Sequence, residues 1–466
     1  NMSRVFIRRF VRTHANQMER RLERRFESKL PADTHSAGRG LPWRVITRHI
    51  VLAVVVWALA AQALPPSAAR ASGYIIVQSL SGWSDPAACS LRDGILAANL
   101  DLPVGACAAG SGDDTILINM TGTIQLTSTL PTIVASVAIR GPGPTELTIQ
   151  RDPGAPPFRL IEISGTNGSP FSVTITGVRL SNGYAPGLNG GAVLVNDPST
   201  LAVKNVAFEN NIAANGGAIF AQGPLEVTRG VFRNNVAQTG GGGAAYTTGG
   251  AVISASLFIS NAAWGGTVIS PSIGGGGALR LNTAPDSPRQ NWVVNSVFAR
   301  NTVTSSAAGG AAIRISSAYA SHLLHNTIVG GDMIDPQSAI YASGSGDTIA
   351  CITSTIITSH TVGIHRGTQV SVTQDFNLFY GVITHVVGQV AGGANTRSGA
   401  PLFVDPAADN YRLQTSSPAV DSGANAGIPD DYDDQPRPLG FGPDIGAFEF
   451  NPGWELRRVY LPVSSR

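Results

Sequence analysis

The sequence predicts an all-β chain folded as a right-handed parallel β-helix of about ten coils, preceded by an α-helical cap. Three observations point there. Gly-Gly-Ala recurs at 190–192, 216–218 and 242–244, so two successive steps of 26 residues are equal. Each doublet is followed by Phe-x-x-Asn, at Phe208/Asn211, Phe232/Asn235 and Phe258/Asn261, with looser copies at Gly276-Gly277-Ala278, Phe298/Asn301 and Gly309-Gly310-Ala311. A period in the twenties in a chain with 54 glycines and 43% hydrophobic residues is the mark of stacked coils, each burying its apolar face on the next.

The elements follow in order. Residues 1–71 hold 13 Lys+Arg against 4 Asp+Glu, and the remainder 19 against 26, so the total of +2 divides into +9 and −7. An apolar run, Ile50 to Leu64, leads to Ala69-Arg70-Ala71, with small residues at both critical positions of a cleavage site. This is a signal peptide with a long basic n-region, too short in its apolar part for the roughly 20 residues of a spanning helix. No later segment is long and apolar enough to span a membrane. The mature part is moderately acidic, with Lys204 its single lysine, which argues against a nucleic-acid partner. Export, a secreted or cell-surface location and a monomer are the expectations.

Residues 72–112 read as an N-terminal cap. Ser90-Leu91-Arg92-Asp93 has the form of a capping box, and Leu91, Ile95, Ala98 and Leu102 share one helical face. Cys89 and Cys107 lie 18 apart around that helix, and a disulfide between them in an oxidising compartment is worth about 3 kcal/mol. Cys351, inside Thr348-Ile349-Ala350-Cys351-Ile352, reads as a buried free thiol. From Asp113 short β-branched runs broken by Gly, Pro and Asn predict strands and tight turns through residue 398.

Aligned on the Ala of the doublet, the next position reads Val193, Ile219, Ala245, Leu279, Ile313, Ile340 and Ile364, an inward aliphatic column. Strand alternation sends the following position outward. It reads Leu194, Phe220, Tyr246, Arg280, Arg314, Tyr341 and His365. Rings and guanidinium groups at about 4.8 Å spacing suit sugar stacking and carboxylate pairing. Phe220, Tyr246, Arg280, Arg314, Tyr341 and His365 are therefore the candidate binding residues for an extracellular polysaccharide or cell-surface glycan, uronate polymers included; side-chain packing is the competing account. The Phe-x-x-Asn residues read as structural: phenylalanines stacked inside, and asparagines at left-handed turn positions bonded to the Asn above and below.

Three stretches resemble known families. CSLRDGILAAN (89–99), followed by a second Cys and Gly112-Asp113-Asp114-Thr115-Ile116, resembles the CSLREA-type domain that opens many bacterial secreted β-helix proteins, with Asp93-Gly94 in place of Glu-Ala. The Gly-Gly-Ala and Phe-x-x-Asn repeats resemble those of chlamydial polymorphic outer-membrane proteins, which are surface adhesins. Residues 399–450, with Ala400-Pro401-Leu402-Phe403-Val404-Asp405-Pro406, Ser417-Pro418-Ala419-Val420-Asp421 and Asp444-Ile445-Gly446-Ala447-Phe448-Glu449, resemble the choice-of-anchor Q domain; residues 451–466 are a short tail without an evident sorting motif. These resemblances imply a pectin-lyase-like solenoid and a non-catalytic adhesion or glycan-binding role.

The alternative is a polysaccharide lyase or glycoside hydrolase. Hydrolases need paired carboxylates. The best late acids are Asp332, Asp335, Asp347 and Asp375, with His322, His325, His360 and His365 nearby in sequence and Arg314 as a conceivable base. Asp430, Asp431, Asp433 and Asp434, with Asp421 and Asp444, form the densest charge and could supply oxygens to calcium, although no Asp-x-Asp-x-Asp-Gly loop is present. No cofactor is otherwise required.

Overall fold

The structure, a computed structural model, describes residues 73–165, 170–265, 274–283, 289–304, 309–331, 335–344 and 348–453, except for the side chains of Asp335 and Pro336. Residues Asn1–Ala69 separate as a unit of their own, and the predicted signal peptide, like most of the tail, lies outside the described residues. The second unit is Arg70–Arg466.

Short runs with period-two burial build every coil. One complete turn reads Thr200–Lys204, Ala207–Glu209, Ile212–Asn215 and Ile219–Ala221, after which Leu225–Thr228 pairs in parallel with Thr200–Lys204. Repetition gives parallel sheets of twelve, eleven, nine and five strands. With every coil-to-coil pairing parallel, this is a right-handed parallel β-helix. Its longest sheet has twelve rungs, against about ten coils expected. One of the additional rungs is Tyr74–Val77, which precedes the helix and pairs with Thr115–Ile118 inside the stretch read as cap.

The helix Leu91–Leu100 begins at Ser90, whose Oγ accepts from the Asp93 amide. Asp93 does not reach back to the Ser90 amide as a full capping box requires. Its carboxylate accepts instead from the Ser90 and Ser84 hydroxyls and the Asp85 amide. Leu91, Ile95 and Ala98 are buried, but Leu102 is exposed because Asp101, at φ 53°, ends the helix before it. A disulfide joins Cys89 and Cys107.

Inside the stack the aliphatic column forms in register from Val193 to Ile364, every member fully buried. Phe208, Phe232, Phe258 and Phe298 stack with ring centroids 4.6–4.7 Å apart and nearly parallel planes. Beside them runs an asparagine ladder. Asn211, Asn235 and Asn261 each donate from Nδ2 to Oδ1 of the next asparagine at 2.9–3.0 Å, ending on Asn301, and the same Oδ1 accepts the previous backbone amide. The left-handed backbone falls one residue earlier than expected, on Asn210, Asn234, Ser260 and Arg300. The ladder asparagines keep ordinary backbone and use their carboxamides for the turn. A second polar ladder, unforeseen because its residue type changes, runs along the corner that leaves the twelve-stranded sheet: Ser256, Ser296 and Asn326 each accept the amide of the coil before.

Residues 399–450 do not close the end of the stack. They fold back along the outer face of the eleven-stranded sheet, where Tyr411, Ala447 and Phe448 pack on Ile259, Val297 and Ala299, and Leu413, Ala419 and Ile445 pack on Ile356 and Leu378. Cys351 is another correction: alternation turns it outward, half-buried, beside exposed Ile349.

Candidate functional site

The predicted outward strip forms in register on the nine-stranded sheet, Leu194, Phe220, Tyr246, Arg280, Arg314, Tyr341 and His365 on consecutive rungs. Its contacts are nearly symmetric about the two arginines. Phe220 meets Tyr246 edge-on at 5.0 Å and Arg280 lies 4.9 Å from the Tyr246 ring centre; Arg314 lies 4.9 Å from that of Tyr341, which meets His365 edge-on at 5.0 Å. Each arginine is thus held on a ring as well as by its neighbours.

The strip is not an open platform. Phe220 is 8% exposed, Arg280 6% and Arg314 5%, and the turn carrying the glycines of the preceding coil lies over the two arginines. A Cβ on Gly241 or Gly275 would come within 2.7 Å of the Cδ of Arg280 or Arg314, so those positions need glycine. Arg314 donates from Nη1 to the Gly274 carbonyl at 2.7 Å and from Nε to Ser316 Oγ at 3.2 Å. Burial, then the neighbouring Arg280, lowers Arg314 to about 10, and burial lowers Arg280 as well. Both are still cations near neutral pH. The expectation of guanidinium groups presented to uronate carboxylates is therefore corrected: these two face the protein.

Tyr246, Tyr341 and His365 are half-exposed, whereas Leu194 and Phe220, at the N-terminal end, are nearly buried themselves and border a cleft. This open cleft of about 210 Å³ is also lined by Arg159, Asn189, Asn196 and Gln222. Arg159 is paired with Glu162 at 2.9 Å, and Asn189 accepts from Asn215. The cleft offers an apolar floor, three carboxamides and a neutralised ion pair.

The four aspartates of the C-terminal segment do not converge. Asp433 takes both ends of the Arg412 guanidinium at 2.7 Å, Asp434 pairs with Arg229, and buried Asp431 accepts the amides of Asp433, Gln435 and Glu449. Asp430 meets Pro436 in an isolated antiparallel bridge. Among the described residues no three His, Cys, Asp or Glu side chains are grouped as a metal ion requires. Asp430, Asp431, Asp433 and Asp434, offered above as possible calcium ligands, are thus not brought together, and arginines or backbone amides occupy oxygens of Asp431, Asp433 and Asp434.

The late histidines and acids are likewise dispersed. His322 stacks on Trp292, His325 occupies a corner, and His360 is buried and pushed by burial to about 4. Asp375 accepts from Asn395 and the Phe376 amide. Asp335 pairs through its backbone with His360, while Asp332, Asp347 and the Asp335 side chain lie outside the described residues.

One cluster carried no sequence signal. Arg437, buried with Glu449 at 2.7 Å, also donates to His325 Nδ1, the Asp444 and Gly446 carbonyls and Asn295 Oδ1. Burial, with Glu449 nearby, raises Asp444 to about 7, and burial with Arg437 nearby lowers His325 to about 3. His325 and Asn295 belong to coils and Arg437 to the C-terminal segment, so no local motif could reveal the meeting.

No family model matches the chain. Among curated proteins, a segment of 88 residues is 41% identical to the "Probable autotransporter YfaL" of Escherichia coli (strain K12), which is 17% of this chain and 7% of that protein. The chain thus spans a small fraction of the curated relative it matches. Among solved structures it is similar to pectate lyase Pel9A, with a TM-score of 0.40 and 11% identity over 83% of this chain and 98% of the other.

Proposed function

We propose that the protein is an exported β-helix, released or held at the cell surface, that binds glycans without acting on them. The basic leader in the sequence, the disulfide and the limited similarity to an autotransporter support the location. The observation that carries the binding reading is the lining of the 210 Å³ cleft, where a phenylalanine ring and a leucine sit among Asn189, Asn196 and Gln222. Carboxamides both donate and accept, which matches sugar hydroxyls, and an apolar floor suits a sugar's C–H face.

Charge favours neutral glycans over uronates. Arg159 is spent on Glu162, and Arg280 and Arg314 are turned into the protein. Arg314 is held as a hydrogen-bond donor, which is not the state of a general base. Affinity electrophoresis of the full chain through gels containing neutral polysaccharides tests the reading. Retardation is expected, with apparent affinity falling about tenfold in Asn196→Ala/Gln222→Ala, the equivalent of about 1.4 kcal/mol. Equal mobility of parent and variant in every gel would sink it.

A further inference from the structure

A second cleft, on a different sheet, has the better-formed floor. On the outer face of the twelve-stranded sheet Glu226, Val252, Trp292, His322 and Cys351 occupy consecutive rungs. Trp292 lies flat against His322, with centroids 4.1 Å apart and planes 19° from parallel. One face of the indole is therefore covered. Trp292 also lines a cleft of about 310 Å³ with Glu226, Val252, Arg289 and Gln290. The connection into the Trp292 strand runs over 282–290, against 222–224 and 248–250 in the two coils before it. The volume falls at the lower end of the 300–1,000 Å³ range of small-molecule sites.

From this we infer that the Trp292 cleft is a binding subsite for one sugar ring of a neutral glycan, distinct from the cleft at Phe220. An indole backed by His322 is a rigid platform whose orientation is set before a ligand arrives, so little freedom is lost on binding. Val252, 47% exposed, extends the apolar floor by one rung. Glu226 and Arg289 give the rim one anionic acceptor and one cationic donor, and the neutral Gln290 carboxamide can both donate and accept. Equal and opposite charge selects hydroxyls rather than a carboxylate. The two clefts lie on sheets facing different directions, so a single short oligosaccharide is not required to reach both.

The test is a titration of the full chain with neutral cello-, manno- and chito-oligosaccharides and with oligogalacturonate, followed by calorimetry and tryptophan fluorescence. A neutral oligosaccharide is expected to change the fluorescence, Trp292→Ala to lose at least about tenfold in affinity, and Trp292→Phe to retain most of it. Asn196→Ala/Gln222→Ala is expected to leave that fluorescence response intact, which separates this subsite from the Phe220 cleft. Far-ultraviolet circular dichroism and melting of each variant check folding, and if the alanine variant does not fold, Trp292→Phe decides the question by losing the fluorescence response while calorimetric binding persists; a fluorescence response unchanged in Trp292→Phe would place the ligand elsewhere. Absence of any response to the neutral series, an unchanged affinity in Trp292→Ala, or binding of oligogalacturonate lost in Arg289→Gln would overturn the inference.

Discussion

At the residue scale, the asparagine ladder shows one side chain doing several backbone jobs. Asn261 donates to the Phe232 carbonyl and to Asn301, and its Oδ1 accepts both the amide and the carboxamide of Asn235. Removing it strands donors and acceptors in a buried corner. Asn261→Ala is expected to cost about 3 kcal/mol, given 1–3 kcal/mol for each buried group left unsatisfied, and Asn261→Asp no less, because a carboxylate cannot donate onward. Urea melts of the two variants check this. The ladder was legible because Phe-x-x-Asn repeats in type as well as position; the Ser256, Ser296 and Asn326 ladder has the same geometry and was not, since serine and asparagine supply the same acceptor from different residues.

At the scale of elements, the strip and the C-terminal segment teach opposite lessons. Register follows from local repetition, so the order Phe220, Tyr246, Arg280, Arg314, Tyr341, His365 could be read from sequence alone. Exposure does not, because it depends on a turn from a different coil crossing the strand at Gly241 and Gly275. Residues 399–450 have no repeat to align, and their place is set by apolar contacts and by ion pairs such as Arg233 and Arg300 to Asp409. Arg437 is a buried fastening of the segment to the coils, through His325 and Asn295. Arg437→Ala leaves Glu449 buried without its partner, at an expected cost of about 3–5 kcal/mol. Limited proteolysis should then cut within 399–450 while the coils stay resistant; Glu449→Gln, which keeps a hydrogen-bonding side chain, should be cut more slowly than Arg437→Ala.

For the whole molecule, buried titratable groups set the response to acid. His325 and His360 are lowered to about 3 and 4 from 6.5, so between those values and 6.5 the unfolded chain takes up protons that the folded one refuses, and stability is lost as pH falls. Asp444, raised to about 7 from 3.8, acts oppositely: its contribution is present at low pH and lost as pH rises through about 7. His360→Gln removes one of these histidine contributions. Its stability relative to the parent should therefore improve by about 1.4 kcal/mol for each unit the pH is lowered from about 6.5 to about 4. Asp444→Asn should do the reverse, making stability rise more steeply with pH across 4 to 7. Chemical denaturation at several pH values measures both.

The backfolded C-terminal segment also imposes an order in time. Arg229 meets Asp434, 205 residues further along the chain, and Asn295 meets Arg437 over a separation of 142. A polypeptide made from its amino end completes those coils long before their cover arrives. Until then the outer wall around Ile259, Val297 and Ile356 faces solvent bare. Residues 399–450 are thus a lid delivered in cis, and the vulnerable interval is the one before that segment has been made.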